Sequence, residues 1–203
     1  MKTEIIDIKL SDLESLTETL RTRLELSQFE PDVVVYLETG ARLLAFHFHK
    51  LTGTAAASLT IQRPGSSLKV RIVPILSALP QFLQNLLRQT ERQFASRGAN
   101  KRKILHASQI DLFKKKVLIL DDAADSGQSL LLAKQWVLKK GGTEGNIKLA
   151  TIAVTQPRAK EIVDFWIYHQ LCRFPWSSDS IEREECLRLY AQIDPAKLAT
   201  SSF

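Results

Sequence analysis

The chain has 203 residues, and its 28 lysines and arginines against 22 acidic residues leave a formal net charge of +6. This length suffices for one α/β domain with a buried core, and 44% apolar with 25% charged residues is typical of a globular protein. No apolar run approaches the roughly 20 residues of a membrane helix, and the N-terminus is too polar for a signal peptide. We therefore expect a cytoplasmic protein with no membrane partner.

The basic residues are scattered, apart from short runs at 101–103 and 114–116. No RNA-recognition, KH or zinc-finger pattern accompanies them, so we do not expect a nucleic-acid partner. A positive balance suits a phosphate-rich small ligand equally well. Cys172 and Cys186 match no zinc spacing, and reduced thiols are the expectation for a cytosolic protein.

The first half of the chain alternates between predicted helices and strands. Leucines at helical spacing predict a helix ending near residue 27, and Ser11 with Glu14 matches a capping box at its start. A continuous apolar run at 32–37 indicates a strand buried on both faces, which is typical of a parallel sheet. The remaining predictions for this half are a helix over 41–51 that ends at Gly53 and strands over 55–61 and 69–76.

The second half continues the alternation. Its predicted elements are helices over 79–97, 129–140 and 181–192, strands over 116–120, 147–154 and 165–174, and a loop or short helix over 157–163. Strands that alternate with helices, without repeats, predict a doubly wound parallel sheet with helices on both faces. Such sheets bind ligands beyond the carboxyl ends of their strands. The loops after Leu37 and Leu120 are therefore the candidate site.

The loop after Leu120 combines carboxylates with the start of a helix. Asp121 and Asp122 emerge where the buried strand ends, and carboxylates of this kind suit ribose hydroxyls or Mg²⁺. Gly127 permits close backbone approach, and the free amides and dipole of the following helix favour an anion. Ser126 and Ser129 add hydroxyl donors. The alternative is that the acids are turn residues and Ser126 is a helix cap.

This segment, LILDDAADSGQSL, resembles the signature with which type I phosphoribosyltransferases bind 5-phosphoribosyl 1-pyrophosphate (PRPP). The resemblance implies that Asp121 and Asp122 bind the ribose hydroxyls and Mg²⁺, the metal directly or through water. Asp125 would accept the proton of the base as the catalytic residue. The 5′-phosphate would be held by the backbone of Asp125 and by the side chains or amides of Ser126, Gly127, Gln128 and Ser129.

The loop after Leu37 is similar to the pyrophosphate loop of the same family, with departures. The family usually has a basic or small residue and then two glycines, whereas here Glu38 and Thr39 precede the single Gly40. An acid facing pyrophosphate would repel it unless Mg²⁺ or Arg42 intervenes. Arg42 either binds pyrophosphate or caps the helix in solvent.

Two further segments resemble the part of xanthine-guanine type members that covers the purine. Phe174 and Trp176 belong to a Phe-Pro-Trp segment that would form a hood over the base, and the alternative is that both are core aromatics. Gln156 stands where those enzymes carry a lysine that reads the purine 6-oxygen. A neutral amide can donate to an oxo group or pair with an amino group.

The resemblance implies a single phosphoribosyltransferase-like domain over 1–203, with hood elements at 1–27 and 157–203 and an inserted helix at 79–97. We expect a homodimeric glycosyltransferase of nucleotide metabolism that transfers the 5-phosphoribosyl group of PRPP to a nucleobase nitrogen, with Mg²⁺, and releases pyrophosphate. The alternative is a non-catalytic PRPP- or nucleotide-binding regulator, which Glu38, the single glycine and Gln156 favour. A phosphoacceptor domain using the paired acids is a third interpretation.

Overall fold

The computed structural model describes residues 5–38, 40–62 and 102–200. Thr39, the strand predicted over 69–76 and the helix predicted over 79–97 lie outside these residues. The chain divides into two compact units, one of Met1–Thr60 with His106–Phe203 and one of Ile61–Leu105. The single domain predicted over 1–203 stays a prediction, because most of the second unit lies outside the described residues.

Five strands form a sheet in the order β4-β3-β2-β5-β6, in which β2 pairs in parallel with β3 and β5, and β5 pairs in parallel with β6. This confirms the predicted parallel sheet. The strands of the described residues are β1 Ile6–Asp7, β2 Val33–Leu37, β3 Ala55–Gln62, β4 Lys103–Ala107, β5 Val117–Ala124, β6 Ile147–Val154 and β7 Cys172–Arg173.

Helices cover both faces of the sheet. The described helices are α1 Leu13–Leu26, α2 Arg42–Thr52, α3 Gln128–Lys139, α4 Pro157–Lys160, α5 Arg183–Gln192 and α6 Pro195–Leu198. Val34 and Tyr36 of β2 join one buried cluster with the core-facing leucines of α1 and α2. The buried face of α3 lies outside that cluster, on the side to which the alternate residues of β2 point. The prediction of a doubly wound sheet is therefore confirmed.

The start of α1 differs from the predicted capping box. The Asp12 carboxylate accepts a hydrogen bond from the amide of Lys9 at 2.9 Å, in place of the predicted pairing of Glu14 with Ser11. A short 3₁₀ turn at Leu10–Asp12 precedes the helix, so the reciprocal bond forms at that turn instead. The leucines that face the core at helical spacing are buried as predicted: Leu13, Leu16, Leu20 and Leu24.

Strand β5 extends further than the sequence indicated. Its pairing with β2 ends at Leu120, but its pairing with β6 continues to Ala124, which lies opposite Val154. The strand was predicted to end at Leu120, and it continues because its second neighbour still offers backbone partners. Asp121 and Asp122 therefore belong to a strand end that projects beyond β2.

The strand predicted over 165–174 is wrong. Phe165 and Tyr168 make isolated bridges to β6, and ladder pairing appears at Cys172–Arg173, whose partner is β1. The apolar residues of this segment follow the edge of β6 without continuous hydrogen bonding, which alternation alone does not reveal. The two-stranded β1-β7 sheet joins segments near the two ends of the chain.

No helix in the described part of the chain is long and apolar enough to cross a membrane.

Candidate functional site

The two acids at the end of β5 occupy different environments. Asp121 is buried, and its Oδ1 accepts the amide of Asp122 at 3.0 Å. Asp122 is half-buried, and its Oδ1 accepts the amide of Ala123 at 2.7 Å. Because β5 continues through both residues, their side chains leave opposite faces of the strand. The two carboxylates are therefore not equivalent, and Asp122 is the one that meets the loop after β2.

Gly40 lies directly against the carboxylate of Asp122. A Cβ atom built on Gly40 would stand 2.3 Å from both Cγ and Oδ2 of that side chain. The neighbouring parallel strands β2 and β5 thus bring the loop after β2 into contact with the projecting end of β5. A larger residue at position 40 would displace this carboxylate from its present position.

Trp176 reaches the same carboxylate from the C-terminal segment. Its indole Nε1–H donates to Oδ2 of Asp122 at 2.7 Å. Its ring stacks on Phe174, with centroids 5.0 Å apart and planes inclined by 10°. Phe174 is a buried core residue, and Trp176 is half-buried beside the acid. The sequence resemblance implied one role for both aromatics, but Phe174 lies in the core and Trp176 lies beside Asp122.

Arg42 is bound within the protein. Its Nη2 and Nε donate to Oε2 of Glu38 at 2.9 and 3.2 Å, and the two side chains are 26% and 13% exposed. Its Nη1 donates to the backbone oxygen of Tyr190 at 3.3 Å, and its guanidinium lies 5.4 Å from the centroid of that ring. The ion pair neutralises the acid that was expected to repel pyrophosphate.

Tyr190 is a residue of this region that sequence reasoning missed. It lies on α5, 6.4 Å from Trp176 between ring centroids. Its hydroxyl is buried and finds no hydrogen-bond partner among the described residues. Burial raises the pKa of Tyr190 well above its ordinary value, and the thiol of Cys186 and the carboxylate of Asp122 add to the rise. Helical spacing in 181–192 was the available signal, and it does not say which residue faces a ligand.

Helix α3 begins directly after Gly127, which provides no side-chain cap. Gly127 has φ of 70°, in the left-handed region, and a Cβ there would stand 2.9 Å from Cδ1 of Ile162. Being glycine, it offers no side chain to cap the amides of the first turn. Ser126 is half-buried, Gln128 is half-buried, and Ser129 is buried. These residues follow the two acids on one continuous strand–loop–helix, as expected.

Asp125 connects the loops after β5 and β6. Its Oδ1 accepts a hydrogen bond from the hydroxyl of Thr155, and the Thr155 amide donates to the oxygen of Ala124 at 3.1 Å. The next residue, Gln156, is exposed and is the N-cap of the short helix α4. The residue proposed to handle a proton and the residue proposed to read a base therefore follow adjoining strand ends.

The two acids at the end of β5 are the candidate ligands for a metal ion. Among the residues that the structure describes, no three His, Cys, Asp or Glu side chains come together as a metal site. The carboxylates of Asp121 and Asp122 supply hard oxygen donors, and Mg²⁺ is commonly held by one or two carboxylates with water and substrate phosphates. The residues thus fit Mg²⁺ that arrives with a phosphorylated ligand.

Comparisons with known proteins establish the family and the fold. The model of the phosphoribosyl transferase domain family matches residues 16–182. A purine phosphoribosyltransferase from Pyrococcus horikoshii superposes with a TM-score of 0.60 at 18% identity, over 87% of this chain and 96% of that one. A xanthine-guanine-hypoxanthine phosphoribosyltransferase from Helicobacter pylori gives 0.58 at 14% identity, over 92% and 99%.

A third structure, a hypothetical protein from Neisseria gonorrhoeae with bound ppGpp, gives a TM-score of 0.59 at 13% identity, over 95% of this chain and 98% of that one. At these identities the likeness shows the fold. No curated protein matches the sequence significantly. The family model, by contrast, spans most of the chain and includes both candidate loops. The chain therefore belongs to the phosphoribosyltransferase family.

Proposed function

We propose that this protein transfers the 5-phosphoribosyl group of PRPP to a nitrogen of a nucleobase, with Mg²⁺, and releases pyrophosphate. One observation carries the proposal. Asp122 lies against Gly40 on one side, and on the other the same strand leads into the left-handed Gly127 at the start of α3. Asp122, which would bind the ribose, thus lies between Gly40 of the neighbouring loop and the start of α3, which would bind the phosphate.

The sugar phosphate would bind along β5 and α3. Asp122, beside Gly40, and Asp121, on the other face of the same strand end, would accept hydrogen bonds from the ribose hydroxyls, since carboxylates are acceptors when ionised. The 5′-phosphate would meet the first-turn amides of α3, where the helix dipole favours negative charge. Ser126 and Ser129 would add hydroxyl donors, and the half-buried Gln128 stands between them.

The chemistry would depend on positioning and charge. The bond between C1 of the ribose and a pyrophosphate oxygen breaks, and C1 joins a nitrogen of the base. A transition state with positive charge on the sugar is stabilised by carboxylates held nearby. Asp125, which already accepts the Thr155 hydroxyl, would take the proton from the base. Bound Mg²⁺ would neutralise the departing pyrophosphate.

The base would lie beside Gln156 and the C-terminal aromatics. Gln156 is exposed at the end of β6, where its amide can donate to an oxo group or accept from an amino group. The loss of a charged donor at this position leaves several bases as candidates. The Pyrococcus and Helicobacter proteins are a purine and a xanthine-guanine-hypoxanthine phosphoribosyltransferase, so purines are tested first. A homodimer and a cytoplasmic location complete the proposal.

A second candidate is a non-catalytic protein that binds PRPP or a nucleotide. The ion pair of Arg42 with Glu38 favours it, because an arginine already neutralised attracts pyrophosphate less. The Neisseria structure is described with bound ppGpp, a phosphorylated nucleotide. Binding without transfer would use the same acids and the same start of α3.

Pyrophosphate release separates the two candidates. The protein is incubated with PRPP, Mg²⁺ and each of a panel of purine and pyrimidine bases, and pyrophosphate is followed by a coupled assay. Transfer predicts release with at least one base. A rise in melting temperature with PRPP, but no release with any base, supports the regulator. Absence of any PRPP effect contradicts transfer and a PRPP-binding regulator alike.

A further inference from the structure

The indole of Trp176 is held by ring contacts on its face and by a hydrogen bond from its N–H. One face of the ring lies against Phe174, nearly parallel at 10° and 5.0 Å between centroids. Tyr190 approaches at 6.4 Å with a tilt of 52°. The N–H points to Oδ2 of Asp122 at 2.7 Å. Trp176 therefore contacts Asp122, the acid proposed to bind the ribose, whereas the sequence resemblance implied that it covers the base.

Asp122 is held at both of its oxygens. Oδ1 accepts the amide of Ala123 at 2.7 Å, and Oδ2 accepts the indole of Trp176 at the same distance. An ionised carboxylate offers about four lone-pair sites, so each oxygen keeps capacity for one further donor. The carboxylate also lies close to Gly40, since a Cβ built there would stand 2.3 Å from its Cγ.

We propose that Trp176 is a positioning residue of the sugar site: its indole N–H holds the carboxylate of Asp122 in the orientation that accepts a ribose hydroxyl. The inference rests on the proposed function and deepens it. It links the C-terminal segment to PRPP binding rather than to the base alone. Charge-assisted hydrogen bonds are the stronger ones, and losing one loosens the geometry of its acceptor.

The substitution Trp176→Phe tests the N–H in isolation. Phenylalanine can still stack on Phe174 but has no donor for Asp122. We expect the dissociation constant of PRPP with Mg²⁺, measured by calorimetry without any base, to rise about tenfold. The matched control is Trp166→Phe, since Trp166 contributes its backbone oxygen to Arg23 and phenylalanine retains that atom. The control is expected to bind PRPP like the wild type.

A second readout follows the indole signals of the wild-type protein by NMR. The chain has three tryptophans, so a ¹⁵N-labelled sample gives three indole signals, which the two variants assign. PRPP is expected to shift the Trp176 signal, because the ligand would share the acceptor of that N–H. The Trp166 signal is expected to stay in place.

The outcomes separate this inference from the proposed function. If wild type binds PRPP and Trp176→Phe binds it equally or more tightly, the positioning role is overturned while the proposed function stands. A Trp176 indole signal that does not shift when PRPP binds overturns the positioning role as well. If wild type binds no PRPP, the proposed function and the positioning role fall together.

Discussion

The loop from β5 into α3 and the C-terminal segment from β7 to α5 both approach Asp122, but they do so by different physics. The first is local: a strand, an acid pair and a left-handed glycine follow one another within a few residues. The second is assembled over long separations, since Trp176 lies 54 positions from Asp122 and Tyr190 lies 148 from Arg42. Local chemistry can be recognised as a motif, whereas the distant contacts depend on how the whole chain packs.

The largest expected effect tests the local region. The double change Asp121→Asn and Asp122→Asn removes two charged acceptors while keeping side-chain size. Hydrogen bonds to charged groups contribute about 1.5–3 kcal/mol each, so PRPP affinity measured by calorimetry is expected to fall more than about a hundredfold.

The control for that experiment is Asp111→Asn, at an exposed aspartate that accepts the amide of Phe113. It is expected to bind PRPP normally. Circular dichroism should show the double variant folded. Normal PRPP binding by the double variant would remove these acids from the site.

The next effect concerns the turn that begins α3. Gly127→Ala forces a side chain into the left-handed region and against Ile162, 2.9 Å away. The strain is expected to lower the free energy of unfolding by about 1–2 kcal/mol, measured by urea denaturation, and to weaken PRPP binding. Gly145→Ala is the matched control, because nothing lies within 4 Å of its added Cβ. Equal losses in both variants would contradict the assigned geometry.

These two experiments address what the sequence could predict. The parallel sheet, the buried β2 and the Asp121-to-Ser129 loop follow from apolar runs and local residue types. Local patterns do not specify pairing partners. For this reason they did not predict that β5 extends to Ala124 or that 165–174 makes only isolated bridges to β6. The roles of Trp176 and Tyr190 required the packing of the C-terminal segment. Glu38 departs from the residue type that the family usually has in its pyrophosphate loop, and its ion pair with Arg42 explains how the loop accommodates an acid.

A smaller effect probes the distant contacts around Arg42. Glu38→Gln removes the charge that neutralises the arginine, so affinity for pyrophosphate with Mg²⁺ is expected to rise by about two- to fivefold. Glu25→Gln is the control, because it removes an i,i+4 pair with Arg21 on α1. Calorimetric titration with pyrophosphate measures both. Weaker binding by Glu38→Gln would mean that Glu38 itself supports the ligand or the fold of the loop.

The smallest effect lies away from both regions. His47 on α2 has a buried Nδ1 without a hydrogen-bond partner among the described residues, and burial lowers the pKa of His47 below 6.5. The unfolded chain therefore takes up the proton first as pH falls, so this residue costs stability below about pH 6.5. Urea denaturation at pH 7.5 and 5.5 is expected to show a smaller acid loss in His47→Phe than in wild type. Identical pH dependence in the two proteins would contradict this.

The most direct measurement is a crystal structure with PRPP and Mg²⁺ bound. The account predicts the 5′-phosphate at the first-turn amides of α3, with the ribose hydroxyls at the carboxylates of Asp121 and Asp122. A sugar phosphate bound elsewhere, with the start of α3 not contacting it, would contradict the central claim.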